Sequence, residues 1–337
     1  MKAIGYQHAS PIDQADALQD IELPVPTATG HDVLVEVKAI SVNPVDTKVR
    51  NNASAEKGEW KVLGWDATGV VKTVGSDVTL FKVGDKVWYA GDISRSGSNA
   101  QFQLVDERIV GHMPQSLSYS DAAALPLTSI TAWEMLFERL EVEVGKKNHD
   151  KSIMIIGAAG GVGSIMVQLA KRLTGLTIIG TASRPETKEW LEELGAHHVI
   201  DHNKPLSQEL KKIGYDNVDY VVSLNNTEQH YGEIVESLAP QGKFGLIDDP
   251  ASLDVLALKR KSISLHWELM FTRSLFKTDD MQAQHDLLNE VSELINEGLL
   301  KTTVGNHFGT INAKNIIKAH GFLESQKAKG KIVLEGF

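Results

Sequence analysis

The sequence predicts an α/β protein of two domains, a β-rich first third of barrel or sandwich type followed by a doubly wound parallel sheet. Three observations carry this. The chain has 337 residues, more than one ordinary core holds. Its first third is a series of short strand-like runs bounded by glycines and turn residues. From Ser152 onward, short apolar runs alternate with helix-length segments, and a glycine-rich turn follows the first of them.

In the first third, Val33–Ile40 reads as a strand with partial alternation, and 69–75 (Gly-Val-Val-Lys-Thr-Val-Gly) as another between two glycines. Lys86–Ala90 follows a Gly84-Asp85 turn, and Ala100–Val105 is expected to be its neighbour. Helical segments are expected at Asp121–Leu125 and Ala132–Arg139. The parallel sheet is expected to use Ser152–Ile156, Thr177–Ala182, His197–Asp201, Val218–Ser223 and Lys243–Ile247. Between them lie helices such as Pro185–Leu194, with proline at its first turn and Gly195 just past its end, and Glu228–Leu238. The last stretch is mixed: helix Gln282–Asn296, strand Thr302–Phe308, helix Ala313–Ser325 and strand Lys331–Leu334.

Composition narrows the class. The net charge is −10, so nothing global favours nucleic acid or an anionic membrane, and solubility is the plain reading of the acidity. With no cysteine, the chain has no disulfide, thiolate zinc site, iron–sulfur cluster or Cys nucleophile. The start runs directly into a strand-like segment without the apolar stretch of a signal peptide, and no apolar run is long enough to span a bilayer. A cytoplasmic protein is expected.

The strongest motif is Gly157-Ala158-Ala159-Gly160-Gly161-Val162-Gly163, set between an apolar strand and an amphipathic helix with Val162, Met166, Leu169 and Leu173 on one face. In the spacing G-x-G-x-x-G, Ala158 takes the first glycine place. A pyrophosphate must approach the backbone closely, and a Cβ at Gly160 or Gly161 would obstruct it. The free N–H groups at the helix start, Val162 among them, then face the anion. A tight turn without a ligand is the plain alternative, but four glycines in seven residues point to a dinucleotide. About 20 residues further on, where an NAD site usually has an acid, stand Ser183 and Arg184, with Lys188 one turn later. A hydroxyl and two cations suit a 2′-phosphate, so NADPH is expected over NADH. Otherwise Arg184 and Lys188 are surface charges paired with Glu186, Glu189 or Glu192.

The order of motifs extends the reading to the whole chain. Gly64-Trp65-Asp66-Ala67-Thr68-Gly69 and Val83-Gly84-Asp85-Lys86-Val87 come first. Leu125-Pro126-Leu127-Thr128-Ser129-Ile130-Thr131-Ala132-Trp133, the glycine turn and Gly330-Lys331-Ile332-Val333-Leu334 follow. Together they resemble the medium-chain dehydrogenase/reductase superfamily, and within it the quinone oxidoreductase branch, whose members are often named zinc-type alcohol dehydrogenase-like proteins. The resemblance implies a GroES-like β-barrel catalytic domain from residues 1–122 and a Rossmann NADP-binding domain over 123–271. A return segment, 272–337, would complete the catalytic domain, and the active site would lie in the cleft between the two. It also implies a homodimer, since dimers are common among such proteins.

The zinc enzymes of this superfamily set a Cys, a His and a Cys around the catalytic metal. The matching positions here are Asn43, Trp65 and Leu127, and none of them replaces a thiolate or an imidazole. Asp66 remains as an acid beside the lost histidine. The four-cysteine structural zinc lobe is missing as well. No zinc is expected. Without a Lewis acid to hold an alkoxide, acceptors that take hydride readily become the expected substrates: quinones and α,β-unsaturated carbonyls.

By the same resemblance, 43–48 (Asn-Pro-Val-Asp-Thr-Lys) borders the site. Asn43 is a candidate to hydrogen-bond the nicotinamide ribose or the acceptor oxygen, and Asp46 to fix the loop or relay a proton. A capped loop after a strand explains both as ordinary turn chemistry. Thr131 would lie near the nicotinamide. Asn225 and Ile247, with Asp248, follow strands at the carboxyl edge of the sheet, where ligands bind. Lys331 would reach the cofactor. Trp65 and Trp267 are candidates for an apolar acceptor pocket, although the run His266–Phe271 suits core or a subunit interface equally. The partner expected is a small electrophilic acceptor. Two other readings stay open: an alcohol or carbonyl dehydrogenase, and a non-catalytic NADPH-binding redox sensor.

Overall fold

The computed structural model describes residues 1–145 and 150–337. They form two compact units, one from Met1–Ile130 with Phe271–Phe337, the other from Thr131–Met270. No helix among the described residues is long and apolar enough to cross a membrane.

The first unit opens with β1 (Lys2–Tyr6), β2 (Gln19–Glu22) and β3 (Asp32–Val42), then α1 (Pro44–Asn52), β4 (Lys61–Val62), β5 (Ala67–Val74), β6 (Lys86–Tyr89), β7 (Phe102–Asp106) and β8 (Val110–His112). Strands β2, β1 and β4 make a small antiparallel sheet. The larger sheet is organised by β3, whose eleven residues are too long for one neighbour on each side. Along one edge β3 pairs with β5. Along the other, its first half pairs with β7, Asp32 opposite Asp106 to Glu36 opposite Phe102. Irregularities between Leu34 and Val35 and between Val37 and Ala39 bend it. This corrects one expectation: the strand at Phe102–Asp106 does not neighbour Lys86–Tyr89, which lies between β5 and β8. Adjacent runs along the chain suggested neighbours, but the bent β3 offers β7 a longer partner. Helices α2 (Tyr119–Ala123) and α3 (Pro126–Trp133) follow.

The helix expected over Ala132–Arg139 is α3 continued by a π-helical turn, Glu134–Arg139. In the second unit come β9 (Ser152–Ile156), α4 (Gly161–Leu173), β10 (Thr177–Thr181), α5 (Pro185–Leu194), β11 (His198–Ile200), α6 (Leu206–Lys212), β12 (Val218–Ser223), α7 (Thr227–Ser237), β13 (Leu238–Leu246) and β14 (Ser264–Trp267). The sheet order is β11-β10-β9-β12-β13-β14, and each pairing is parallel. All five side chains of β9 are buried, as an apolar run without alternation requires when both faces are covered. Helix α4 is less one-sided than its pattern suggests: every residue from Gly163 to Ala170 is buried, while Val162 and Leu173 are only half-buried. Helix α5 starts on Pro185 and ends on Gly195, whose φ of +109° is left-handed.

The return segment adds α8 (Thr272–Phe276), α9 (Ala283–Asn296), β15 (Val304–His307), α10 (Ala313–Glu324) and β16 (Lys331–Glu335) to the first unit. Strand β16 runs antiparallel to the second half of β3, Ile332 opposite Val42 to Glu335 opposite Ala39, and carries β15 on its other edge. The tail therefore closes the edge of β3 that β7 leaves open.

Candidate active site

In the second unit, chain order reverses between β9 and β12, and the carboxyl ends of these two strands flank the switch point where open α/β sheets bind ligands. The glycine turn leaves β9 at this place. Its glycines have three different reasons. Gly157 has φ +76°, and a Cβ there would lie 2.5 Å from Asn225 Oδ1, so the turn rests directly on the second residue past β12. The Gly157 N–H also donates to Thr181 Oγ1 at 3.3 Å. Gly163 packs on the turn itself, since a Cβ would stand 2.4 Å from Ala158 Cα.

Gly160 is different. Its Cβ would meet only Gly157 O, at 3.3 Å, so packing within the chain scarcely demands a glycine. Gly160 is the N-cap of α4, and Gly161 and Val162 form the first turn; all three are partly exposed. The first-turn N–H groups of a helix have no acceptor inside it. A close-approaching anion explains both the missing Cβ and the donors, and a dinucleotide pyrophosphate fits this cradle.

Around it, Ser183 and Arg184 follow β10. Arg184 is the N-cap of α5; its Nε lies 3.4 Å from Glu186 Oε1, and Lys188 Nζ lies 3.9 Å from Glu192 Oε1. These are the surface pairs foreseen as the alternative to phosphate binding. Exposed pairs this long hold about 0–1 kcal/mol, less than a phosphate can offer the same cations. Ile247, just past β13, donates its N–H to Ser223 O at 3.3 Å. Asp248 is engaged with α7: Thr227 N–H reaches its Oδ2 at 2.9 Å and Thr227 Oγ1 its Oδ1. Sequence reasoning missed Thr181 and Thr227, although Thr181, at a strand's carboxyl end, was a readable sign. Thr131 is buried in α3. Trp267 ends β14 with half its surface exposed, whereas Trp65, in the other unit, is buried, bonds Asp92 O through Nε1 at 3.3 Å and meets Phe271 edge-on.

The first unit gathers a second constellation. Asn43, directly after β3, is the N-cap of α1, with Pro44 at the first position and Asp46 at the third. The segment read as a turn is thus a helix start, built from the same residue types. Asn43 N–H donates to Asp46 Oδ2 at 2.6 Å. The Asn43 amide is spent within the fold: Nδ2 donates to Trp65 O at 3.3 Å and to Asp66 Oδ2 at 2.8 Å, and Oδ1 accepts from Lys331 Nζ. Asp66 Oδ1 accepts from Leu127 N–H at 2.8 Å. Lys331 Nζ donates also to Val42 O at 3.1 Å and to Asp66 Oδ2 at 2.8 Å, which uses all three ammonium hydrogens. Asn43, Asp46, Asp66 and Lys331 are all at most 4% exposed. Lys331, expected to reach a cofactor, is a buried ion-pair partner inside the first unit.

Burial sets the electrostatics. It pushes the Asp46 carboxyl up to about 7, against the pull of the Asn43 N–H and the Lys331 charge and with help from neighbouring Asp66. Burial also raises Asp66, while Lys331, Leu127 N–H and the Asn43 amide oppose it. Asp46 Oδ1 is buried with no hydrogen-bond partner.

A zinc ion does not fit these residues. The three positions that resemble its ligand places hold an amide, an indole and an aliphatic chain. Both oxygens of the one carboxylate between them already accept hydrogen bonds, and an ammonium is seated on it. Among the described residues no three His, Cys, Asp or Glu side chains are grouped to hold a metal.

Known proteins are similar to this chain over its full length. The family model Alcohol dehydrogenase GroES-like domain matches residues 29–126, and Zinc-binding dehydrogenase matches 194–334. A zinc-type alcohol dehydrogenase-like protein of Staphylococcus aureus is 41% identical, over 99% of both chains. A Rhizobium etli CFN 42 protein of solved structure, named for the zinc-dependent alcohol dehydrogenases, is 55% identical with a TM-score of 0.96, over 100% of this chain and 98% of its own. The structure of Escherichia coli quinone oxidoreductase complexed with NADPH has a TM-score of 0.85 at 25% identity, over 99% of this chain and 100% of the other.

Proposed function

The chain belongs to the medium-chain dehydrogenase/reductase superfamily, in its quinone oxidoreductase branch, and on that premise we propose that it transfers hydride from NADPH to a quinone or α,β-unsaturated carbonyl without zinc. The observation that carries this reading is the cradle at Gly160–Val162, where a glycine that internal packing scarcely requires meets the unpaired donors of a thirteen-residue helix. NADPH supplies the hydride when bound. The E. coli relative holds that cofactor, which supports the choice, as do Ser183, Arg184 and Lys188 in place of an acid after β10.

The rest is done by this chain. Gly160, Gly161 and Val162 bind the pyrophosphate; Ser183, Arg184 and Lys188 bind the 2′-phosphate. Asn225, Ile247 and Thr131 orient the nicotinamide half, and Trp267, half exposed at the end of β14, offers an apolar face to the acceptor. Asn43 has no amide hydrogen left to give an acceptor oxygen, so its part is to hold the helix start on Asp66 and Lys331. Asp46 keeps a proton on its carboxyl up to about neutral pH. Quinones and enones suit such a site because the negative charge that arrives with hydride delocalises onto oxygen, so no Lewis acid is needed to hold it.

The test is NADPH and NADH oxidation against quinone, enone and simple aldehyde panels, with dissociation constants for both cofactors. Turnover of quinones or enones with NADPH is expected. Aldehyde reduction alone would make the protein a carbonyl reductase, and NADPH binding without any turnover a sensor.

A further inference from the structure

Asp66 is fully buried, and a carboxylate cannot remain charged there without a counter-charge and hydrogen-bond donors. In a chain with no cysteine, and with an amide, an indole and an aliphatic side chain where the zinc members resembling it place their ligands, that counter-charge cannot be a conventionally held zinc ion. The counter-charge present is Lys331, on the last strand of the chain. Its Nζ has three oxygen acceptors, Val42 O, Asn43 Oδ1 and Asp66 Oδ2, and is itself buried.

We propose that Lys331 is a built-in cation: its ammonium takes the place that the family name assigns to zinc, closes that place to metal, and ties β16 to the helix start carrying Asn43 and Asp46. The missing ligands and the buried lysine suit each other. Loss of the soft ligands leaves a cage of hard oxygens with one negative charge, and an ammonium satisfies such a cage with one hydrogen per oxygen. A divalent ion would have to displace the ammonium and would gain no nitrogen or sulfur ligand in exchange. Lys331 acts here on the position of Asn43 and Asp46, and its three ammonium hydrogens are taken up by oxygens of the first unit.

The test is chemical rescue in the full-length protein. Lys331→Ala removes the three side-chain carbons beyond Cβ and the ammonium, a gap that n-propylammonium matches. The variant is expected to melt several degrees below wild type. n-Propylammonium chloride should restore most of that shift saturably, where sodium chloride of equal ionic strength and zinc chloride do not; wild type should respond to none of them and carry no stoichiometric zinc when purified without a His tag. Should Lys331→Ala not fold, a second pair decides. Asp66→Asn/Lys331→Met, which removes both charges, should be more stable than Lys331→Met alone, because the single change leaves an unpaired buried carboxylate. Stoichiometric zinc in wild type, rescue by zinc in place of n-propylammonium, or a double variant no better than the single one would each overturn the proposal. No readout uses NADPH or an acceptor, so its failure is distinct from failure of the proposed reaction.

Discussion

The backbone N–H of Asn43 donates to Oδ2 of Asp46 at 2.6 Å, while the other carboxyl oxygen, Oδ1, lies buried without a hydrogen-bond partner. That asymmetry suits an acid that keeps its proton. Asp46 is held up to about 7 by burial, far above its unfolded value of about 3.9, so the native state binds the extra proton between the two. Its contribution to stability is complete below about pH 4 and is lost as pH rises to about 7, on the order of 4 kcal/mol in all. Asp46→Asn should remove this loss. Urea melts from pH 4 to 8 check it, and parallel pH profiles for variant and wild type would refute the assignment.

His320 pulls the other way. Its ring is buried against the fully buried Arg50, with Arg50 Nη1 3.3 Å from His320 Nδ1. Burial, and secondarily the Arg50 charge, push its pKa down to about 3, so the native state releases a proton that the unfolded chain keeps. Stability from this group is present above about pH 6.5 and is lost as pH falls towards 3. The two slopes oppose each other between pH 4 and 6.5. Asp46→Asn should therefore gain stability, relative to wild type, as pH rises across that window, and His320→Asn should lose it. The sign of each difference, measured by the same urea melts, is the result to look for.

Gly160 and Gly163 should separate binding from folding. Gly163→Ala drives a methyl into the Ala158 backbone and should cost about 3 kcal/mol or more of stability. Gly160→Ala meets one carbonyl at 3.3 Å and should cost under about 1 kcal/mol, yet weaken NADPH binding at least about tenfold. Thermal melts with fluorescence titration of NADPH test both. Unchanged affinity in Gly160→Ala would remove the pyrophosphate from this turn.

Arg184→Ala breaks an exposed contact with Glu186, a kind of pair that contributes little, so its melting point should move little. A lost charge-assisted bond to a 2′-phosphate corresponds to an affinity loss of about tenfold or more for NADPH, with NADH unaffected. Equal losses for both cofactors would contradict the 2′-phosphate assignment. The same titration on Lys188→Ala reports on the second cation.

Much of the fold was readable locally. The parallel sheet announces itself because each buried strand is a short apolar run and each crossover a helix-length segment, and Pro185 and Gly195 mark their helix to the residue. Asn-Pro-Val-Asp was ambiguous for a physical reason: the groups that cap a helix are those that close a turn, and only the packing of Asp46 and Arg50 chooses the helix.

The glycine turn, the absence of cysteine and the lack of an acid after β10 are properties of neighbouring residues, and they were sufficient to predict a dinucleotide and to argue against zinc. Which residue serves as the buried cation could not be read this way. Lys331 and Asp66 are 265 positions apart, and a lysine near a chain's end most often stays in water. Only the pairing of β16 with β3 carries that ammonium into the interior, where Asp66 and two further oxygens make burial tolerable. Periodicity and spacing register what lies within a turn or a strand, whereas a buried charge is settled by its distant partner.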